Sequence, residues 1–183
     1  GIEGASCINC PRGFFTSTEA LAECAPCEAG EFAASTASTS CTACAEGEIS
    51  VGEGNFECRN CPAFSTTAGL GQSVCKCDAG YYMDGAVCAA CPTGTFNGDA
   101  GATSVDACLP CPSGEFAATE GSASCSPCSP GSFADGGASS CTACDVGYVS
   151  SGSEACTACG AGTVSVAKGQ ASCSPCGENV VAK

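Results

Sequence analysis

The sequence has no histidine and no tryptophan, and its only basic residues are Arg12, Arg59, Lys76, Lys168 and Lys183. Nucleophilic catalysis of the Ser-His-Asp or Cys-His kind needs a histidine, and phosphate-binding glycine loops need a flanking strand and helix that this sequence does not suggest. We therefore expect neither catalytic residues nor a cofactor, and we interpret the chain as a non-enzyme.

Positive charge is scarce, because 19 acidic residues outweigh the five bases and give a formal net charge of −14. Such a surface repels phosphates, which excludes nucleic acid as a partner. Long apolar runs are also missing, and none approaches the ~20 residues that cross a bilayer. The sequence predicts no membrane span.

Large apolar side chains are few, since Ile, Leu, Val and Phe together make 24 of 183 residues. A chain this poor in them cannot bury enough area to offset the entropy of folding. The 22 cysteines are what remains as a source of stability. A disulfide that closes a loop of about 15 residues contributes roughly 3 kcal/mol, and disulfides persist in oxidising compartments, so we expect an extracellular or cell-surface location.

The cysteines form eleven close pairs, ten C-x-x-C and one C-x-C, so the chain is a repeat array of about ten units. In nine of ten units, a glycine lies three residues after the second cysteine of a pair. This recurring glycine predicts a backbone position with positive φ. These residues are Gly13, Gly30, Gly47, Gly80, Gly94, Gly114, Gly131, Gly147 and Gly162, with Phe64 in the remaining unit.

Two residues further, most units carry a sizeable apolar residue, which we interpret as the spacer of a linear core; an exposed ligand-binding stripe is the alternative. The positions are Phe15, Phe32, Ile49, Thr66, Tyr82, Phe96, Phe116, Phe133, Val149 and Val164. With glycine turns inside each loop, the pattern predicts a strand at the apolar residue and a second strand entering the next cysteine. The predicted fold class is a small disulfide-rich repeat protein, an elongated array of about ten short β-hairpin units with little or no helix. At most one or two helical turns are expected, at residues 17–23.

Six of the ten loops between pairs hold 13 residues, and the exceptions begin mid-chain. We therefore divide the chain into a first run of repeats at 1–76, a short irregular unit at 77–91 and a second run at 92–183.

Two disulfide connectivities suit paired cysteines: a ladder in which each second cysteine bonds the first cysteine of the next pair, and an interlocked scheme over two successive pairs. We favour the ladder because it treats all units alike. Its bonds are Cys10–Cys24, Cys27–Cys41, Cys44–Cys58, Cys61–Cys75, Cys77–Cys88, Cys91–Cys108, Cys111–Cys125, Cys128–Cys141, Cys144–Cys156 and Cys159–Cys173. The ladder leaves Cys7 and Cys176 for an external partner, either in a longer repeat chain or between self-associating copies.

Zinc is the chemical alternative, because C-x-x-C pairs about 13 residues apart have four-thiolate spacing. The lack of histidine, the scarcity of bases and the uninterrupted series of pairs argue against it, so no metal site is expected.

The unit C-x-x-C-P-x-G-x-F, present at 88–96 and 108–116, resembles the cysteine-rich repeat of ephrin receptors and the related tumour-necrosis-factor-receptor modules. Residues 58–82 are the best local match, with Phe64 in the glycine slot and the ending C-x-C-x-x-G-Y-Y. That ending also resembles the end of an EGF-like domain, a likeness that favours Cys77–Cys88. The resemblance is one of module, so receptor function does not carry over with it.

The favoured function is a non-enzymatic extracellular structural protein, a disulfide-stapled rod of on the order of 150 Å that serves as filament protomer or cell-surface stalk. The alternative is a receptor or adhesin ectodomain for a protein ligand, with Arg59, Tyr81, Tyr82 and Met83 as its binding cluster. O-linked glycans are expected on loops such as 35–40 and 150–153. The turn Asn97-Gly98-Asp99 is interpreted as a plain turn in preference to a calcium site.

Overall fold

The computed structural model describes residues 8–17 and 23–177. Cys7 and most of the predicted helical segment 17–23 lie outside these residues. The chain divides into two compact units, Gly1–Cys77 and Asp78–Lys183. We number the repeats 1 to 10 from their second cysteines, so that repeat 1 begins at Cys10 and repeat 10 at Cys159.

The described residues contain ten antiparallel two-stranded hairpins, each formed by consecutive strands, which confirms the predicted fold class at that level. In the first unit the strands are β1 (Phe14–Phe15), β2 (Ala25–Pro26), β3 (Glu31–Phe32), β4 (Thr42–Ala43), β5 (Glu48–Ile49), β6 (Arg59–Asn60), β7 (Ser65–Thr66) and β8 (Lys76–Cys77). In the second unit they are β9 (Tyr81–Asp84), β10 (Val87–Ala90), β11 (Thr95–Phe96), β12 (Leu109–Pro110), β13 (Glu115–Phe116), β14 (Ser126–Pro127), β15 (Ser132–Phe133), β16 (Thr142–Ala143), β17 (Tyr148–Val149), β18 (Thr157–Ala158), β19 (Thr163–Val164) and β20 (Ser174–Pro175).

The second strand of most hairpins lies later than the sequence suggested. The first strand lies at the apolar position, as predicted. The second strand follows the next cysteine and occupies the two residues between the cysteines of that pair. For example, Glu31 and Phe32 pair with Ala43 and Thr42. The C-x-x-C spacing is therefore the length of a two-residue strand bounded by cysteines. Helix is confined, among the described residues, to one 3₁₀ turn at Val105–Ala107, whose first turn is capped by the Ser104 hydroxyl.

Nine disulfides have the ladder connectivity, with Cα–Cα distances of 5.5 to 5.8 Å. They are Cys10–Cys24, Cys27–Cys41, Cys44–Cys58, Cys61–Cys75, Cys91–Cys108, Cys111–Cys125, Cys128–Cys141, Cys144–Cys156 and Cys159–Cys173. Cys77 and Cys88 are also disulfide-bonded. Each bond closes one repeat across the base of its hairpin.

The chain buries little surface for its size. Its accessible area is 11127 Å² at a mass of 17.6 kDa. An unfolded chain of this mass exposes about 25,500 Å², so folding buries about 56% of the surface, where an ordinary 150-residue domain buries about 68–70%. The cross-links therefore supply stabilisation that this burial does not.

Candidate functional site

The junction between successive repeats is the structural feature that recurs along the chain, and its first element is the glycine slot. All ten residues at this position have positive φ, between 59° and 91°. The left-handed backbone predicted from the recurring glycine is therefore confirmed, including at Phe64, which has φ 59°.

In seven repeats, the amide of the slot residue donates a hydrogen bond to a backbone carbonyl of the next repeat. The Gly30 amide donates to the carbonyl of Ser50 at 3.0 Å, and the Gly131 amide donates to the carbonyl of Ser150 at 2.8 Å. The same bond runs from Gly13 to Ala33, Gly80 to Asn97, Gly94 to Ala117, Gly114 to Ala134 and Gly147 to Ser165. These bonds join backbone to backbone, and at Gly30 and Gly147 the amide is shared with the hydroxyl of Ser50 or Ser165, at 2.8 Å in both cases.

Six of the nine slot glycines also lie against the repeat two places further on, whereas a Cβ on Gly47, Gly147 or Gly162 would meet nothing within 4 Å. A Cβ on Gly30 would come within 3.0 Å of the carbonyl oxygen of Gly71, a distance that real Cβ atoms essentially never show. Gly13, Gly80, Gly94 and Gly131 stand in the same relation to the carbonyl oxygens of Gly54, Gly121, Gly137 and Gly169. At these positions glycine is required for two reasons, the positive φ and the close approach of two backbones.

The core of the repeats consists of cystines and small residues, which corrects the prediction of an apolar linear core. The buried position is the sixth residue after the second cysteine, one residue beyond the apolar position. It holds Ala33, Ser50, Thr67, Asn97, Ala117, Ala134, Ser150 and Ser165, all at most 5% exposed. Of the ten predicted apolar spacers, Ile49 is buried and Thr66 is exposed, while the others are half-buried. Their strands pair edge-on with the next repeat instead, as in the bridge from Phe116 to Ala138.

Buried hydroxyls in this column complete the junction. The Ser50 hydroxyl accepts from the Gly30 amide at 2.8 Å and donates to the Glu31 carbonyl at 2.9 Å. Where serine is replaced by Asn97, the longer side chain donates to the carbonyls of Tyr81 and Asp99 at 3.1 and 3.0 Å. Among the described residues, no buried side-chain polar atom lacks a partner. The polar core is therefore satisfied, as burial requires.

The Asn97-Gly98-Asp99 turn is closed by a side chain, because the Asn97 Oδ1 accepts from the Asp99 amide at 3.1 Å. In the described part of the chain, no group of three or more His, Cys, Asp or Glu side chains is placed to hold a metal.

The residues predicted as a binding cluster differ in exposure. Arg59 is exposed, whereas Tyr81, Tyr82 and Met83 are half-buried. The Met83 amide donates to the Ala102 carbonyl at 2.9 Å, so β9 is engaged with the following repeat.

A side-chain clamp that sequence reasoning missed involves Arg12. Its Nε donates to the Ala34 carbonyl at 2.8 Å, and its guanidinium lies 4.4 Å from the centre of the Phe56 ring. One arginine of repeat 1 thereby contacts repeats 2 and 3, a cation–π arrangement worth about 0.5–1 kcal/mol at exposed sites. No sequence motif predicts the contact between Arg12 and Phe56, because 44 residues separate them in the chain.

Two further predicted positions are placed as follows. Cys176 is a free thiol and is half-buried. Of the loops proposed for O-glycans, Ser35, Thr36, Ser151 and Ser153 are exposed, but Ser150 is 4% exposed and bonded to the Glu154 carbonyl, so Ser150 is wrong as an acceptor.

Within the described residues there is no helix long and apolar enough to cross a membrane. Comparison with known proteins finds one family: the model described as tyrosine-protein kinase ephrin type A/B receptor-like matches residues 2–44, less than a quarter of the chain. The match falls on repeats 1 and 2, not on residues 58–82 where the sequence resemblance was strongest. No curated protein matches the chain. The matched residues 2–44 are thus similar to ephrin-receptor-like cysteine-rich repeats, and the array of disulfide-closed hairpins is consistent with a disulfide-rich module of that kind.

Proposed function

We propose that the chain is a non-enzymatic extracellular structural protein, a disulfide-stapled rod that acts as a filament protomer or a cell-surface stalk. In this proposal two runs of regular repeats, at 1–76 and 92–183, flank the short unit at 77–91. The cysteines serve as cross-links, with no redox or metal-binding role. Exposed loop hydroxyls such as Ser35 and Ser151 are the sites where O-glycans would be carried.

The observation that carries the proposal is the repeated junction. Seven slot glycines donate to a backbone carbonyl of the next repeat, and six slot glycines lie against the repeat two places further on. In an array of this type, stability is a sum of near-neighbour terms and length is added unit by unit. An array held together by backbone hydrogen bonds, cystines and small buried residues suits a spacer, because few of its side chains are arranged to bind a partner.

The receptor or adhesin alternative is supported less well. It requires a central exposed cluster of aromatic or arginine side chains. The tyrosines named for that cluster are half-buried, and Arg12 is committed to Ala34 and Phe56.

Small-angle scattering of the dilute protein tests the proposal. A compact globule of 183 residues has a radius of gyration of about 16 Å, whereas a rod of about 150 Å has one of about 43 Å. An unfolded chain would give about 46 Å, so the scattering must also show the constant cross-section of a rod. A radius near the globular value would refute the structural rod.

A further inference from the structure

Repeat 3 has a small apolar cavity beside its buried spacer, Ile49. The side chains of Ile49, Val51 and Phe56 form the apolar part of its wall, and its volume is about 220 Å³. Val51 and Phe56 are 55% and 43% exposed, so this apolar surface is open to solvent. Pockets that enclose a whole small molecule measure roughly 300–1,000 Å³, so this cavity fits a single side chain of a longer ligand.

The wall of the cavity is already fixed in the free chain. The guanidinium of Arg12 lies 4.4 Å from the centre of the Phe56 ring. The Asn55 side chain donates to the carbonyls of Val51 and Gly52 at 3.3 and 2.8 Å, which holds the loop that carries Val51. A ligand that binds here therefore has few protein groups to order, and this favours affinity.

Arg59 lies at the rim of this cavity and is not engaged by the rest of the described chain. It stands opposite Ile49 across the β5–β6 hairpin, and it is exposed. Glu57 lines the same cavity, yet among the described residues the Arg59 guanidinium has neither an ion pair nor a hydrogen bond. A guanidinium presents a planar fork of donors that matches the two oxygens of a carboxylate.

The charge around Arg59 differs from that of the rest of the chain. Residues 58–77 include Arg59 and Lys76 but no acidic residue, so this segment carries +2 in a chain of net charge −14. In the other long acid-free segment, 155–177, the single base is held in an ion pair with Asp145. The segment 58–77 therefore attracts an anionic group that most of the chain repels.

Two other cavities beside apolar spacers have the opposite charge. The cavity at Phe15 is lined by three glutamates, and the cavity at Phe96 is lined by Asp99; neither has a basic residue in its wall. Of these three cavities, the one at Ile49 is therefore the one that suits a carboxylate.

We infer that this cavity binds a short acidic segment of a partner protein, in which a large apolar side chain stands next to Asp or Glu. The apolar side chain enters the cavity against Ile49 and Phe56, and the carboxylate pairs with Arg59. Opposite residues of an antiparallel pair have Cβ atoms about 5 Å apart, and an extended chain advances about 3.5 Å per residue. Two adjacent residues of the segment therefore reach both the cavity and the guanidinium.

A short segment fits this site better than an anionic membrane. A wide anionic surface meets the repulsion of the whole chain, whereas charges more than about 8 Å from a short segment are largely screened at physiological salt. The site adds a docking point to the proposed rod and is independent of whether that rod is a filament or a stalk.

NMR titration of the isotopically labelled full chain with short peptides tests the inference. The probe is acetyl-Gly-Ser-Leu-Asp-Ser-Gly-amide, and two comparison peptides replace its Asp by Asn or its Leu by Ala. We expect shifts at the amides of residues 49–59. The Leu-Asn peptide should bind about fivefold more weakly than the probe, and the Ala-Asp peptide about tenfold more weakly. No shift at these amides with 10 mM probe would overturn the inference.

Two threonine variants separate the site from the general charge of the chain. Arg59→Thr is compatible with the fold, because other repeats hold Thr42, Thr142 and Thr157 at this position. It should remove the preference for the Leu-Asp peptide over the Leu-Asn peptide. Lys76→Thr is the matched control, since it changes the charge equally at the same position of the next hairpin, outside the cavity, and should keep the preference.

Val51→Ser tests the apolar wall separately. It should weaken the Leu-Asp and Leu-Asn peptides by the same factor, so their ratio stays near five. A preference that survives Arg59→Thr, or one that Lys76→Thr removes, would overturn the inference. Arg59-dependent sedimentation with phosphatidylserine vesicles, without any difference between the peptides, would overturn it in favour of a membrane.

The peptide titration and the scattering experiment fail independently. A rod that binds none of the peptides leaves the proposed function standing and removes this site. A compact protein that binds the probe through Arg59 removes the rod and keeps the site.

Discussion

The close approach at the slot glycines makes a quantitative prediction for two alanine substitutions of matched geometry. Gly94 and Gly147 have φ 81° and 85°, and their amides donate to Ala117 and Ser165 at 2.9 and 3.0 Å. They differ in surroundings, because a Cβ on Gly94 would collide with the Gly137 carbonyl and one on Gly147 has open space. Gly147→Ala therefore incurs the left-handed backbone penalty alone, about 1–2 kcal/mol.

Gly94→Ala carries an additional cost. The Gly137 carbonyl must retreat by about 1 Å to reach van der Waals distance. That movement breaks the bond from the Gly137 amide to the Cys111 carbonyl, 2.7 Å long, which contributes roughly 1 kcal/mol. We expect a total of about 3 kcal/mol for Gly94→Ala.

Amide hydrogen exchange by NMR, with disulfides intact, measures the local opening free energy. The amide of residue 94 and that of Gly137 should exchange about 150-fold faster in Gly94→Ala, while the amide of residue 147 in Gly147→Ala accelerates about 5- to 30-fold. Exchange at Gly137 should be unchanged in Gly147→Ala. Equal acceleration of residues 94 and 147 would refute the close approach as the reason for glycine.

Three further substitutions test other parts of the structure. Asn97→Ala removes the hydrogen bonds to Tyr81 and Asp99 but inserts a residue that other repeats use at this place, so calorimetry should give a loss of about 1–2 kcal/mol; a neutral result would contradict a role for the side chain. Ala37→Gly relieves a positive φ of 59° and should stabilise dilute protein by about 0.5–1 kcal/mol, with destabilisation counting against the assigned backbone. Lys168→Met should leave the melting temperature unchanged. Asp145 raises the pKa of Lys168 through a hydrogen bond, so this ion pair would stabilise the fold below the ordinary lysine pKa and lose that effect at higher pH. Both side chains are at least 70% exposed, however, and solvent screening makes the contribution of such a pair small. A clear drop in the melting temperature, or a marked fall in stability between pH 9 and 11, would show that we undervalue this pair.

The cysteine pattern and the glycine slot could be predicted from the sequence because each has a direct physical meaning at a fixed spacing. The slot prediction extends to Phe64, whose positive φ follows from its position in the repeat and not from its residue type. Burial at the sixth position could not be predicted from hydrophobicity, since Ser50, Asn97 and Ser165 are polar and are buried by their hydrogen bonds to the junction backbone. The available signal was the small or polar residue that follows the apolar position in every repeat but the one with Met83.

The second strands were misplaced for a related reason. Strand patterns are recognised by alternating apolar residues, and pairs such as Thr42–Ala43 or Ser126–Pro127 contain too few residues for alternation. Their strand geometry is imposed by the flanking cysteines and by pairing with Phe32 or Phe116. The second strand of each hairpin can therefore be predicted only when the disulfides on both sides of it are known.

The central claim is that cross-links between buried and half-buried cysteines take the place of an apolar core. Thiol titration of the purified, unreduced protein in denaturant tests this claim most directly. We expect at most two reactive thiols among the 22 cysteines, at Cys7 and Cys176, with loss of the ordered state after reduction. A count near 22, or thiols released together with zinc, would contradict the account.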